Sequence, residues 1–449
     1  MKKNVARLIA VIAMCVTLVG TLASCTAIKT FKLRHMDERE RAFALFEIVD
    51  EKMDSLNSYT INGKYTMNLE IAGEKMEMEA KLVNKAINQN KKDYATYSET
   101  ETTAKYPGMD DVTTVEFEGY YNGRLYLGNK QSDYEQRICS FTPLEKYKDY
   151  LEEKSEDFLT EESTTSATCT ENEDGSWRIE LIGDYDLAEM KESLDDMLAS
   201  LSGGIELSHS KLVFDIGSDL YITSFSWEFV FISNEGDAKL PKFVCEFEVK
   251  DINKTKISSS TFEGYTEVDD VLALKKLEDA ISDREGEKSG TFTRYLEQSA
   301  QNTKTTEMTT ISYQTDEEDN FNYRIDLTSG DDKYIITYMD GKRETKRPNG
   351  YLVGTQKQTQ DEAKAFIESL KNLSMFDIGY VTNITVEDSE SGVYKILISD
   401  QYQPSSSASI KDQVYTVTMK DGKLMKLRFE YAAKTGVGTA VVEVTFTDN

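Results

Sequence analysis

The sequence predicts an α+β protein built as two tandem repeats, each an antiparallel β-sheet with helices packed on one face. Three observations carry this. Runs such as Tyr65, Met67, Leu69 and Ile71 alternate with polar residues, the period of a strand with one dry and one wet face. Stripes such as Leu45, Phe46, Val49 and Met53 recur at helical spacing. A set of local motifs then returns 217 or 218 residues later.

The first repeat opens at Asp37, a helix cap with Glu40 three residues on as its capping-box partner. Ala42, Leu45, Phe46, Val49, Met53 and Leu56 form the buried stripe. A hairpin follows. The Tyr65–Ile71 run turns at Gly73 into Met76, Met78, Ala80 and Leu82, alternating with Glu77, Glu79 and Lys81. After a polar stretch, Val115–Phe117 and Leu125–Leu127 flank Asn122-Gly123, a strong hairpin turn. Thr142-Pro143-Leu144-Glu145 begins a second helix: a Thr cap, Pro in the first turn, Glu closing the box. Glu152 to Asp174 is acidic and rich in Ser and Thr, and reads as a mobile loop. A strand at Trp177–Ile182 and a helical stripe from Leu187 to Leu201 come next. Strands centred on Phe214, Trp227 and Phe247 close the repeat.

Ser258-Ser259-Ser260 reads as a linker, and the order then recurs. Tyr120-Tyr121-Asn122-Gly123-Arg124 matches Tyr338-Met339-Asp340-Gly341-Lys342, and Thr142 with Glu145 matches Thr359 with Glu362. Gly175-Ser176-Trp177-Arg178-Ile179 matches Gly392-Val393-Tyr394-Lys395-Ile396. From Val244 the offset drops to 197, because the second repeat has a Pro-Ser-Ser-Ser loop where the first has the Leu187–Leu201 stripe. The domains expected are 37–261 and 262–449, preceded by a signal segment 1–24 and a tether 25–36.

The N-terminus carries an address. Lys2, Lys3 and Arg7 precede an uncharged apolar run from Leu8 to Leu22. That run is 15 residues long, short of the ~20 that cross a bilayer, so it reads as a cleaved secretory signal. Leu22-Ala23-Ser24-Cys25 resembles the lipobox of bacterial lipoproteins. The resemblance implies that Cys25 becomes the first mature residue and carries a diacylglycerol, which holds the protein on the outer face of the cell membrane.

Removing three signal cations takes the net charge from −28 to −31. Such a surface repels phosphate backbones, which excludes nucleic acid as a partner. It repels anionic headgroups too, so the lipid should be the only membrane contact. The acid excess itself reads mainly as solubility. Beyond Cys25 the mature chain has Cys139, Cys169 and Cys245, an odd number that makes no disulfide framework. Cys139 and Cys169 are the pair that spacing permits; Cys245, in phase with Phe247 and Val249, reads as a buried apolar residue.

A lipobox followed by helix, meander, inserted helix and meander resembles the LolA-like group, which includes the LppX and RseB types. That resemblance covers each half of the mature chain in element order, without any motif to match residue by residue. It implies a strongly curved antiparallel sheet, an open half-barrel, with helices packed in the concave face. It also implies an apolar cavity for a lipid or other apolar ligand. Met67, Met76, Met78 and Met308 are the candidate cavity residues, since thioether chains make a deformable wall. The bland alternative is that they are ordinary core. A second function class is an envelope interaction or sensor module that binds another protein and no small ligand.

Catalytic patterns fail in context. Ser208 and Lys211 have a Ser-x-x-Lys spacing, and Lys434-Thr435-Gly436 completes a penicillin-binding signature, but Ser208 leads an alternating strand rather than a helix. Asn172-x-Asp174-Gly175 lacks the Glu a calcium loop needs, having Leu181 there. His35 and His209 are the only histidines, and no metal-ligand spacing is present. The expectation is a protein without enzymatic activity, cofactor or metal.

Overall fold

The computed structural model describes residue 33 and residues 35–447, apart from 72–73, 89–92, 106, 109, 155–161, 184–204, 234–239, 301–302, 317–319, 372, 404–408 and 436–437. Cys25, the expected signal segment and the expected Leu187–Leu201 helix lie outside the described residues. The chain divides into two compact units, one of Met1–Arg137 and Thr142–Tyr265, the other of Ile138–Phe141 and Thr266–Asn449.

The first sheet begins after helix α1 (Glu38–Asp54). Its strands are β1 (Ser58–Ile71), β2 (Glu74–Ile87), β3 (Ala95–Lys105), β4 (Val112–Tyr121), β5 (Arg124–Gln131) and β6 (Tyr134–Phe141). Helix α2 (Leu144–Lys154) then leads to β7 (Thr164–Glu171), β8 (Trp177–Gly183), β9 (Ile205–Ile216), β10 (Ile222–Ser233) and β11 (Lys242–Lys250). A short strand, β12 (Thr266–Glu267), joins its edge. The spatial order is β12-β6-β5-β4-β3-β2-β1-β11-β10-β9-β8-β7.

The second sheet repeats this plan. Helix α3 (Val271–Gly286) precedes β13 (Ser289–Ala300), β14 (Thr303–Thr315), β15 (Phe321–Ser329), β16 (Asp332–Met339), β17 (Lys342–Lys346) and β18 (Leu352–Lys357). Helix α4 (Gln360–Lys371) precedes β19 (Val381–Asp388), β20 (Val393–Ile398), β21 (Ile410–Lys420), β22 (Lys423–Ala433) and β23 (Gly438–Thr447). The order is β18-β17-β16-β15-β14-β13-β23-β22-β21-β20-β19. Apart from β12, the two strand orders are the same. In each, a six-strand meander and a five-strand meander join where the first strand meets the last.

Both sheets are open, and neither is strongly curled or closed. This corrects the expected half-barrels with helices in a concave face. Alternation reports which face is apolar, not how far a sheet bends. Sharp curvature needs bulges or glycine kinks. Yet β1 pairs with β2 without a break from Ser58↔Ile87 to Ile71↔Glu74, and β2 with β3 from Glu77↔Lys105 to Ile87↔Ala95. The register shifts fall in β7–β8, β9–β10, β17–β18, β19–β20 and β21–β22, and none interrupts β1–β2–β3 or β13–β14–β15. The first sheet is also mixed, since β12 runs parallel to β6.

One apolar cluster of the first unit lies on the α1 face, and a smaller aromatic one, Phe262 with Tyr97, Tyr121 and Tyr126, lies on the other. Tyr65 pairs with Ala80 and Cys245, and Phe225 with Phe247 and Phe214, so large apolar side chains stack across the strands. The Phe225 and Phe247 rings stack at 4.3 Å, and Phe46 of α1 meets Phe214 edge-on at 5.2 Å. Such ring pairs add about 0.5–1.5 kcal/mol beyond area burial. Asp37 caps α1 by accepting the Glu40 N–H at 2.9 Å. In the second unit the α4 box is reciprocal: Glu362 N–H donates to Thr359 Oγ1 at 3.2 Å, and Thr359 N–H to Glu362 Oε2 at 2.8 Å.

Several strands were not legible as such. The Glu152–Asp174 segment, read as loop, contains the end of α2 and all of β7. The polar stretch before Val115 contains β3. Cys139, Cys169 and Cys245 are buried thiols, so Cys139 and Cys169 form no disulfide.

Candidate functional site

The wet face of the second sheet holds the candidate site. Tyr313, Tyr323 and Tyr338 are buried on the helix side, where Tyr323 stacks on Tyr338 at 5.4 Å and approaches Phe366 of α4 at 5.9 Å. Their neighbours along each strand point the other way. Ser312, Gln314, Asn322, Arg324, Thr337 and Met339 therefore line an open groove of about 590 Å³, with Lys342 and Glu344 at its end. Arg324 grips Asp326 with two hydrogen bonds, Nε at 3.0 Å and Nη2 at 2.9 Å. Lys346 beside Glu344, at 2.7 Å, holds that carboxyl below the usual carboxylate range.

A second groove, of about 610 Å³, runs between the β17–β18 hairpin and α4. Arg343, Gln356, Lys357, Gln358, Glu362 and Phe366 are among its lining residues. The Arg343 guanidinium sits 4.6 Å over the Phe366 ring. Tyr323 OH donates to Gln358 Oε1 at 3.1 Å.

The hairpin between these grooves is the feature sequence reading missed. It turns through Arg347-Pro348-Asn349-Gly350, where Arg347 N–H donates to Tyr351 O at 2.8 Å and Gly350 has φ +84°. Asn-Gly was the available signal. The strand it introduces has its apolar residues adjacent rather than alternating, as Tyr351-Leu352-Val353, so no period marked it. All three are exposed, Tyr351 at 67%.

The four expected cavity residues are divided between the two units. Met67 and Met78 are register partners in β1 and β2, 5% and 4% exposed, within the first unit's core. Met76, opposite Leu69, packs partly buried against the same core. Met308, in β14 of the other unit, is 57% exposed. None of the four lines either groove. Among the described residues, no three His, Cys, Asp or Glu side chains are grouped to hold a metal ion. Likewise, no described helix is long and apolar enough to cross a membrane.

No protein-family model matches the chain, and no curated protein does. Three solved structures illustrate the similarity found. A candidate AttH protein from Nitrosomonas europaea is 7% identical, over 86% of this chain and 92% of its own, at a TM-score of 0.15. A protein of unknown function from the DUF3598 family of Nostoc punctiforme is 10% identical, over 92% and 100%, at 0.13. A double mutant of the vaccine antigen transferrin binding protein B from Haemophilus parasuis is 8% identical, over 87% and 76%, at 0.14.

Proposed function

We propose that this is a protein lipid-anchored to the outer face of the cell membrane that binds another envelope protein through its open sheets, without catalysis. One observation supports it above others. The apolar face of the first sheet is packed with its own side chains, Met67 and Met78 included, while the two grooves of the second sheet are open and lined in part by charged side chains such as Arg324, Glu344, Arg343 and Lys357. A carrier of acyl chains needs the reverse, an enclosed apolar pocket with few polar groups. The address rests on Leu22–Cys25.

Crosslinking in cells followed by pull-down tests the reading, alongside native mass spectrometry of protein purified from envelope membranes. A dominant protein partner is expected, with no lipid beyond the anchor. A stoichiometric second lipid with no protein partner would overturn it. The anchor has its own check: Cys25→Ser should move the protein from the membrane fraction to the soluble fraction.

A further inference from the structure

We propose that β18 is a strand-addition site for an extended acidic segment of a partner protein, an inference that rests on the interaction reading above. It follows from comparing the two repeats at the same edge. In the first sheet the end strand of the six-strand meander, β6, is covered: β12 pairs with it in parallel through Thr266↔Ile138 and Glu267↔Cys139. Val268 N–H extends the ladder to Cys139 O at 2.8 Å. The equivalent strand of the second sheet, β18, ends its sheet, and all six of its residues are exposed. Among the described residues nothing pairs beyond it. An unpaired edge presents a row of main-chain donors and acceptors, a template for another strand.

The register shows which groups are offered. Gln358 N–H donates to Gly341 O at 3.1 Å, so those two form a hydrogen-bonded pair. Alternation along the antiparallel ladder then makes Arg343↔Gln356 and Thr345↔Gly354 bonded pairs. Thr355 and Lys357, opposite Glu344 and Lys342, direct their N–H and C=O outward.

Charge selects the occupant. From Lys342 to Lys357 the chain has five Lys or Arg and one acid, Glu344, which Lys346 already holds. This is a net +4 island on a chain of −28. The strand that covers the sister edge sits in Thr266-Glu267-Val268-Asp269-Asp270, a short extended segment with three acids. Pairing of β18 with its counterpart in a second copy would oppose two such basic islands, and like charges across a ladder destabilise it. The fit is to an acidic strand from elsewhere, its apolar side chains meeting Tyr351, Leu352 and Val353.

The test uses the purified full chain and a fluorescent, end-blocked peptide of sequence Gly264–Val271 as probe. Saturable binding by anisotropy is expected. N-methylation of alternate peptide nitrogens, or replacement of its acids by Lys, should weaken it about tenfold or more. Thr355→Pro removes an outward N–H without touching the β17 ladder, and should weaken binding about tenfold at an unchanged melting temperature. If that variant melts early, Arg347→Glu with Lys357→Glu carries the same test through charge. Absence of saturable binding at low salt, or wild-type binding by both variants, overturns the inference. So does self-association in sedimentation that Thr355→Pro abolishes, since the occupant would then be a second copy. In cells, a crosslinked partner that survives both variants leaves the interaction reading standing and sinks only the edge; no partner at all sinks both.

Discussion

The ammonium of Lys371, fully buried at the end of α4, donates to the main-chain carbonyl of Arg284 at 2.8 Å. It also meets Glu368 at 2.8 Å and lies 4.7 Å over the Tyr313 ring. Arg284 in turn donates through Nε to Leu424 O at 2.9 Å and covers the Phe446 ring. These bonds tie both helices of the second unit to β22 and β23. Lys371→Met keeps the aliphatic stem but strands the Arg284 carbonyl. The expected cost is about 1–3 kcal/mol, read as a lowered urea midpoint. An unmoved midpoint would show the bond to be idle.

Gly63 is the close approach in the first core. A Cβ there would stand 2.8 Å from two carbons of the Phe247 ring and 3.2 Å from Leu82 Cβ. Gly63→Ala should therefore destabilise by about 1–3 kcal/mol through overpacking. Phe247→Leu in the same chain should recover part of that loss, so the two changes will not be additive. Additive losses in thermal melts would mean the ring is not the obstacle.

Glu180 reports on pH. Its carboxyl is held below the usual carboxylate range, first by the hydrogen bond from Lys211 Nζ at 2.8 Å and then by Arg178 at 3.2 Å. A depressed folded value contributes stability above the unfolded value, near 4.3, and loses it as pH falls through the folded one. The group is partly exposed, so the contribution is about 1 kcal/mol or less. Glu180→Gln should be less stable than wild type at neutral pH and indistinguishable from it at about pH 2. A gap that persists in acid would contradict this.

Burial pushes the Cys169 thiol up to about 11, against a smaller opposing effect of Arg41. Thiolate is the reactive form. At pH 8 alkylation of Cys169 in the native protein should be slower than in denaturant by roughly two orders of magnitude. Mapping by mass spectrometry after brief iodoacetamide treatment would show it. Prompt native labelling would refute the burial argument.

How much of this was legible depended on side-chain contrast. The β10 and β11 strands set Phe, Trp, Cys and Val against Glu, Ser and Lys, and could be read directly. The caps at Asp37 and Thr359 and the turn at Asn122-Gly123 could be read as well. By contrast β3 (Ala-Thr-Tyr-Ser-Glu-Thr-Glu-Thr-Thr-Ala-Lys), β7 and much of β14 carry Thr on both faces. Their only signal was the β-branched propensity of Thr, which is weak and context-dependent. Curvature was illegible for another reason: it depends on where bulges fall. Composition cannot tell a Met that fills a core from one that lines a hollow, and the β18 edge becomes apparent only beside its covered twin.

The seam where each sheet's two meanders meet sets a folding order. Thr60 finds its partner Lys250 only 190 residues later, and Thr291 finds Thr447 after 156. Hairpins within each meander close over a few residues and form early, whereas the seam must wait for the final strand and a costly loop closure. Until then β1 and β13 each present one raw edge and a greasy flank. The longer wait belongs to β1, so chaperone demand should concentrate on the first repeat.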